Sequence, residues 1–140
     1  VYNSIEEEEQ NFPVNCTNTL DWKFIASVKE CIEKNMGDPD FNVEMLSSCH
    51  HMSRTSFFNK LKVLTGYAPA DYIRMIRLQH AAQLLKQGEY TIAEITDMVG
   101  FSDAKYFREV FKKYYGVSPS KYGESEKTGS YPAINLKNEK

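Results

Sequence analysis

A repeat spaced by about fifty residues constrains the fold of this chain more than any other feature. One copy runs from Val43 to Tyr72 and the other from Ile92 to Tyr122. The copies match at an offset of 49, pairing Leu46 with Ile95 and Ser53 with Ser102, and then at an offset of 50, pairing Phe57 with Phe107, Leu61 with Phe111, Gly66 with Gly116, Pro69 with Pro119 and Tyr72 with Tyr122. One extra residue therefore follows the turn of the second copy. The chain is predicted to contain two units of the same kind.

Each copy has the pattern of a short helix, a tight turn and a second helix with a charged outer face. This order is typical of a helix-turn-helix, whose second helix enters a DNA major groove. We therefore predict an all-α fold of about seven helices, in which two helix-turn-helix subdomains are joined by a long connector helix.

Turn and capping residues predict where the helices of the first copy begin and end. A helix is expected from Leu20 to Met36, stopped by the glycine and proline of residues 37–39. Asn42 is expected to cap the next helix, with Phe41 stapled onto Leu46. After a turn at residues 51–53, a third helix of about twelve residues should end at Gly66.

The connector helix is predicted from Pro69 to Gln87, because its apolar residues fall on more than one side and can enter two cores. Gly88 should end it. Thr91 and Glu94 form a capping box for the next helix, with Tyr90 and Ile95 as its hydrophobic staple. We expect Ser102 to cap the following helix, Gly116 to end it, and Ser118 with Pro119 to start a last short turn.

These elements divide the chain into an acidic linker at 1–19, a DNA-binding domain at 20–122 and a disordered tail at 123–140. Within the domain, the first helix-turn-helix subdomain is expected at 20–66, the connector at 67–88 and the second subdomain at 89–122.

The net charge of −2 conceals an uneven distribution. Residues 1–50 carry −7, residues 51–122 carry +5, and residues 123–140 are neutral. Phosphate affinity depends on positive charge near the contact, so an acidic segment elsewhere subtracts little. The basic charge lies with the repeats, which favours a nucleic-acid partner.

Other classes of protein find little support in the residues. Cys16, Cys31 and Cys49 are odd in number and lack CxxC spacing, which predicts neither a disulfide framework nor a zinc site. No apolar run reaches the roughly 20 residues of a membrane span, and the acidic N-terminus lacks a basic leader. We expect a cytoplasmic chain with no cofactor, metal or membrane contact.

A helical wheel separates the core and outer faces of the second helix in each copy. In the first, Phe57, Leu61 and Leu64 form the core side, while Thr55, Asn59 and Lys62 point away, flanked by Ser56, Phe58 and Val63. In the second, the core side is Phe107, Val110, Phe111 and Tyr114, while Lys105, Glu109 and Lys112 point away, flanked by Tyr106, Arg108 and Lys113. Amide, hydroxyl and basic side chains of this kind read base edges and bind phosphates.

The stretch from Ile95 to Tyr122 contains Gly100-Phe101-Ser102 and Gly116-Val117-Ser118-Pro119. It matches a known family pattern over many residues in the same order, so the match is specific. With it, residues 20–122 resemble the DNA-binding domain of the AraC/XylS family of bacterial transcription regulators. The resemblance implies sequence-specific binding of double-stranded DNA at an operator or promoter, with two recognition helices in successive major grooves, and RNA polymerase as a further partner of an activator.

Residues 20–24 and 38–44 also resemble the output domains of hybrid two-component sensors. That likeness implies an upstream sensor or receiver domain in the same polypeptide, a dimeric full-length protein, and control of nutrient-uptake genes.

Transferred by position, the family's base-reading residues are Thr55, Ser56, Phe58 and Asn59 in the first copy, and Ala104, Lys105, Arg108 and Glu109 in the second. The full predicted DNA-binding set adds the flanking and capping positions: Ser53, Arg54, Lys62, Ser102, Tyr106, Lys112 and Lys113. Glu109 departs from the family pattern. It can accept a hydrogen bond from a cytosine amino group, or pair with Lys105 and Lys112 within the helix, and we favour the pairing.

Two other classes of protein compete with a DNA-binding protein. Cys49 beside His50 and His51 suggests an enzyme nucleophile or metal ligand, but adjacent helical residues diverge by about 100°, so a half-buried packing role for Cys49 is preferred and no enzyme is predicted. A helical adaptor that binds protein instead of DNA is the alternative function, because Phe58, Val63 and Tyr106 lie on the outer faces.

Overall fold

The structure, a computed structural model, describes residues 19–128. Within them it contains seven helices and no strands. They are α1 (Thr19–Lys34), α2 (Val43–Cys49), α3 (Arg54–Thr65), α4 (Pro69–Gln87), α5 (Ile92–Met98), α6 (Ala104–Tyr115) and α7 (Pro119–Thr128). The predicted all-α class is confirmed. The expected acidic linker and the end of the expected tail lie outside the described residues.

The first helix-turn-helix, α2 and α3, begins and ends at local capping signals. The Asn42 side chain accepts a hydrogen bond from the Met45 amide at 2.9 Å, and the Ser53 hydroxyl accepts one from the Ser56 amide at 3.1 Å. Gly66 closes α3 in the left-handed conformation, with φ of 82°, and its amide donates to the Lys62 carbonyl. These caps confirm the ends predicted for both helices.

The second helix-turn-helix, α5 and α6, confirms the capping box but corrects one cap. The Thr91 hydroxyl accepts from the Glu94 amide, while the Glu94 carboxylate accepts from the Thr91 amide. The N-cap of α6, however, is Asp103, whose carboxylate accepts from the Lys105 amide at 3.1 Å. The prediction of Ser102 was wrong, because the extra residue of the second copy lies between the turn and the cap.

The chain divides into two compact units. The first comprises residues 19–35 and 41–74 of the described chain. Its core is built from the apolar faces of α1, α2, α3 and the start of α4, with Ile25, Val28, Ile32, Phe41, Leu46, Phe57, Leu61, Leu64, Tyr72 and Ile73 all buried. The wheel prediction for α3 is therefore confirmed.

The second unit comprises residues 36–40 and 75–128 of the described chain. Its core contains the buried residues Leu78, Ala81, Ala82, Leu85, Ile95, Val99, Phe101, Phe107, Phe111 and Tyr122. Tyr115 also packs here, with its ring centroid 4.6 Å from Phe111 and 5.1 Å from Tyr122. The core position predicted for Tyr114 was wrong: that side chain is 37% exposed, and its neighbour Tyr115 takes the place.

A hydrogen bond between Arg77 and Gly100 holds the turn of the second helix-turn-helix. The buried Arg77 guanidinium donates to the Gly100 carbonyl at 2.9 Å and to the Asp38 carbonyl at 2.8 Å. Burial lowers the pKa of Arg77, and the Asp38 carboxylate opposes that shift. Because a guanidinium has five donors and keeps its charge when buried, it can hold two backbone carbonyls from separate segments of this unit.

The final helix is longer than predicted. It continues from Pro119 to Thr128, whereas only a short turn was expected to start at Ser118 and Pro119. Tyr122 is buried, so the first turn of this helix packs into the core of the second unit. In the part of the chain from residue 19 to 128, no helix is both long and apolar enough to cross a membrane.

Candidate nucleic-acid interface

The outer face of α3 is open to solvent. Every member of the predicted set in this copy is exposed: Ser53, Arg54, Thr55, Ser56, Phe58, Asn59 and Lys62. Phe58 is 40% exposed and Val63 67% exposed, so apolar as well as polar groups lie on this surface. Ser53 also serves as the α3 N-cap, which leaves its hydroxyl engaged with the helix backbone.

Three rings, those of Phe24, His50 and Phe57, pack together on the core side of α3. The Phe24 ring of α1 meets His50 at 5.8 Å and Phe57 at 5.9 Å between centroids, and His50 stacks on Phe57 at 5.7 Å. The His50 ring nitrogens lie 3.0 Å from the Leu46 carbonyl and 3.0 Å from the Ser27 hydroxyl. His50 is thus a packing residue of the first unit, a role that the sequence did not indicate.

The outer face of α6 is the second exposed surface. Ser102, Lys105, Tyr106, Arg108, Glu109, Lys112 and Lys113 are exposed, while Ala104 is half-buried. Phe107 and Phe111 hold the opposite face in the core, with their ring centroids 5.7 Å apart. The α6 surface presents four basic side chains and one acidic one.

Glu109 does not make the intrahelical pairs that we favoured. Among the described residues, no ion pair joins its carboxylate to Lys105 or Lys112. The carboxylate is exposed, and it is therefore available to an external hydrogen-bond donor.

The chemistry of the two faces suits a DNA duplex. An Asn side chain can bind adenine through both amide atoms, and Arg can donate two hydrogen bonds to guanine. Lys62, Lys112 and Lys113 can neutralise phosphates, which releases counterions and makes binding dependent on salt. Each unit separately contains one such face on the second helix of its helix-turn-helix.

The residues that suggested an enzyme lie at the end of α2 and in the turn that follows it. Within residues 19–128, no group of three or more His, Cys, Asp and Glu side chains could hold a metal ion. Cys49 is exposed, so the half-buried role expected for it was wrong. His50 is held by packing and hydrogen bonds, and His51 lies in the turn with a positive φ of 55°.

Two helix-turn-helix units, each with an exposed polar and basic second helix, define a DNA-binding domain of the double helix-turn-helix class. A family model described as "Helix-turn-helix domain" matches residues 46–125. The chain belongs to the AraC family of helix-turn-helix transcription regulators. It is a sequence-specific DNA-binding domain of a transcription regulator, and its family is non-catalytic.

Known proteins similar to this chain include a relative and two solved structures. "Histidine kinase P4" of Formosa agariphila is 36% identical over 105 residues, which are 75% of this chain and 8% of that protein. The C-terminal domain of the two-component response regulator yesN from Fusobacterium nucleatum is 31% identical, with a TM-score of 0.66, covering 72% of this chain and 98% of that one. The DNA-binding domain of AdpA in complex with a target DNA is 28% identical, with a TM-score of 0.68, covering 74% and 93%.

Proposed function

We propose that this chain is the output module of a cytoplasmic signal-transduction protein, in which a sensor or receiver region controls its binding to promoter DNA. The names of two similar proteins support this reading, one a histidine kinase and one a two-component response regulator. The chain spans only 8% of the length of that kinase. We therefore also propose that the full-length protein contains a signalling region, is dimeric, and activates transcription through RNA polymerase.

In the proposed mode of binding, α3 and α6 enter successive major grooves. The observation that carries it is the pair of exposed faces on equivalent helices of the two repeats, each opposite a buried phenylalanine, Phe57 in α3 and Phe107 in α6. Thr55, Ser56, Phe58 and Asn59 would read bases from α3. Ala104, Lys105, Arg108 and Glu109 would do so from α6, with the remaining predicted residues on the sugar-phosphate backbone.

Footprinting on DNA selected from random oligonucleotides tests this mode directly. We expect two protected segments about one helical turn, or roughly 34 Å, apart. A scrambled duplex of the same composition serves as the control and should show no discrete protection. Protection confined to about 5 base pairs would show that one helix reads DNA and the other does not.

Two substitutions should separate base reading from phosphate binding. Asn59→Ala is expected to cost about 1 to 3 kcal/mol on the selected site and to relax preference at one base pair, because the amide pairs with a base edge. Lys112→Ala is expected to weaken selected and scrambled DNA alike and to reduce the salt slope by about 1, because its ammonium neutralises a phosphate. Fluorescence anisotropy across a salt series measures both effects.

Matched controls lie elsewhere on the exposed surface. Gln83→Ala removes an exposed amide from α4, and Lys23→Ala removes an exposed ammonium from α1, neither in the predicted set. Both should leave affinity within about twofold of the unsubstituted chain. Equal losses on selected and scrambled DNA for Asn59→Ala, or an unchanged salt slope for Lys112→Ala, would contradict the corresponding role.

A further inference from the structure

Two cysteines that are 18 positions apart in the sequence meet in the first unit. Cys31 lies on α1 and Cys49 is the last residue of α2, and their Sγ atoms are 3.0 Å apart. Neither is in a disulfide. A disulfide bond is about 2.05 Å long, so closing one would require the sulfurs to approach by only about 1 Å.

The two thiols differ in their access to solvent. Cys49 is exposed, and it lines an open groove together with Asn35, Phe41, Met45 and Ser48. Cys31 is half-buried; burial, and then its contact with Cys49, raise the pKa of the Cys31 thiol to about 12. A small dissolved oxidant therefore reaches Cys49 first, because thiol oxidation follows exposure and thiolate character.

We propose that Cys31 and Cys49 are an oxidation site, at which a two-electron oxidant of the peroxide class converts the dithiol to an intramolecular disulfide. In the first step the Cys49 thiolate attacks hydrogen peroxide, the O–O bond breaks, and a sulfenic acid and hydroxide form. In the second, the Cys31 sulfur attacks the sulfenyl sulfur of Cys49, the S–O bond breaks, and the Cys31 proton leaves with the hydroxyl as water. The hydroxide of the first step takes up the proton that the Cys49 thiol released on ionising, so two thiols are oxidised by two electrons and one peroxide is reduced to two waters.

The disulfide would stabilise the packing of α1 and α2 against α3, the first proposed recognition helix. Cys49 directly precedes His50, the C-cap of α2, whose ring contacts Ser27 of α1 and Phe57 of α3. A covalent link from α1 to Cys49 would act alongside these contacts and would restrict the unfolded chain between residues 31 and 49. We therefore expect the oxidised unit to be more resistant to heat than the reduced one.

The experiment uses the 140-residue chain with Cys16→Ser, which leaves the two cysteines in question. The reduced protein is treated with stoichiometric hydrogen peroxide, and its intact mass, its alkylatable thiols and its Tm are measured. We expect a mass loss of about 2 Da, for the two hydrogens removed, with both thiols protected and a cross-linked peptide joining residues 31 and 49. The Tm should rise by about 5 °C or more and should return on reduction.

Single substitutions in the same background provide the controls. With Cys31→Ser, Cys49 should accumulate as a sulfenic acid that a dione nucleophile traps; with Cys49→Ser, Cys31 should stay alkylatable. Neither should show the rise in Tm. The proposal is overturned if both thiols remain alkylatable, if oxidation gives only higher oxides or intermolecular dimers, or if the disulfide forms without raising the Tm. None of these outcomes depends on DNA binding.

Discussion

Gly100→Ala is expected to lower the free energy of unfolding of the second unit by roughly 4 kcal/mol or more, which is at the severe end for a single substitution. Gly100 has φ of +86°, a conformation that costs an L-residue about 1 to 2 kcal/mol. A Cβ added there would lie 2.2 Å from the Met36 carbonyl oxygen and 2.9 Å from Cζ of Arg77. The first neighbour is backbone and cannot move aside without displacing the segment that Arg77 holds.

Gly66→Ala is the matched control for this prediction. Gly66 has φ of +82°, but a Cβ added there would meet nothing within 4 Å. Gly66→Ala should therefore lower the free energy of unfolding only by the cost of a positive φ, about 1 to 2 kcal/mol. Urea denaturation followed by far-UV circular dichroism compares the two variants. Equal losses of stability would show that backbone conformation alone, and not the close approach of residue 36, requires the glycine.

The helix boundaries that could be predicted are those set by local chemistry. Asn42, Thr91, Gly66 and Gly116 act within their own helix ends, so their side chains or backbone freedom identify those ends directly. The N-cap of α6 could not be chosen this way. Ser102 is followed by Asp103, both are good capping residues, and only the position of the extra residue in the folded turn selects the aspartate.

Core positions were predictable in the middle of helices but not at their edges. Phe57 and Phe107 lie at the centre of their apolar faces, and both are fully buried. Tyr114 and Tyr115 are consecutive and lie on either side of the boundary of the α6 face. Tyr115 is half-buried and packs against Tyr122 of the following helix, and such a contact has no local signal.

The exposed surfaces of α3 and α6 were predictable for the same reason, since a helical period determines which side chains point away from a core. Contacts between distant segments were not. The pairing of Cys31 with Cys49 and the packing of His50 against α1 depend on how α1 lies against α2, which neither an odd cysteine count nor a residue's sequence neighbours can show. The role of each exposed residue on DNA remains a prediction.

Regulation by dimerisation gives the second large expected effect. The repeats, residues 51–122, carry a net charge of only +5, so a single copy is expected to bind DNA modestly. If the full-length protein brings two copies together, the second copy binds at the effective concentration set by the linker, which raises affinity without any new contact. The signal would then act by changing the distance between copies and would leave each recognition surface unchanged.

Fusing the chain to a constitutive dimerisation domain should reproduce that gain. We expect the fusion to bind a two-site DNA about a hundredfold more tightly than a one-site DNA, and at least about tenfold, whereas the monomer should differ by about twofold. Anisotropy titrations at fixed salt measure both. A two-site DNA whose spacer is lengthened by half a helical turn is the geometric control, since it turns the second site to the opposite side of the duplex. If monomer and fusion bound the two-site DNA equally tightly, dimerisation would not be the switch, and the upstream region would have to act by covering α3 or α6 until the signal arrives.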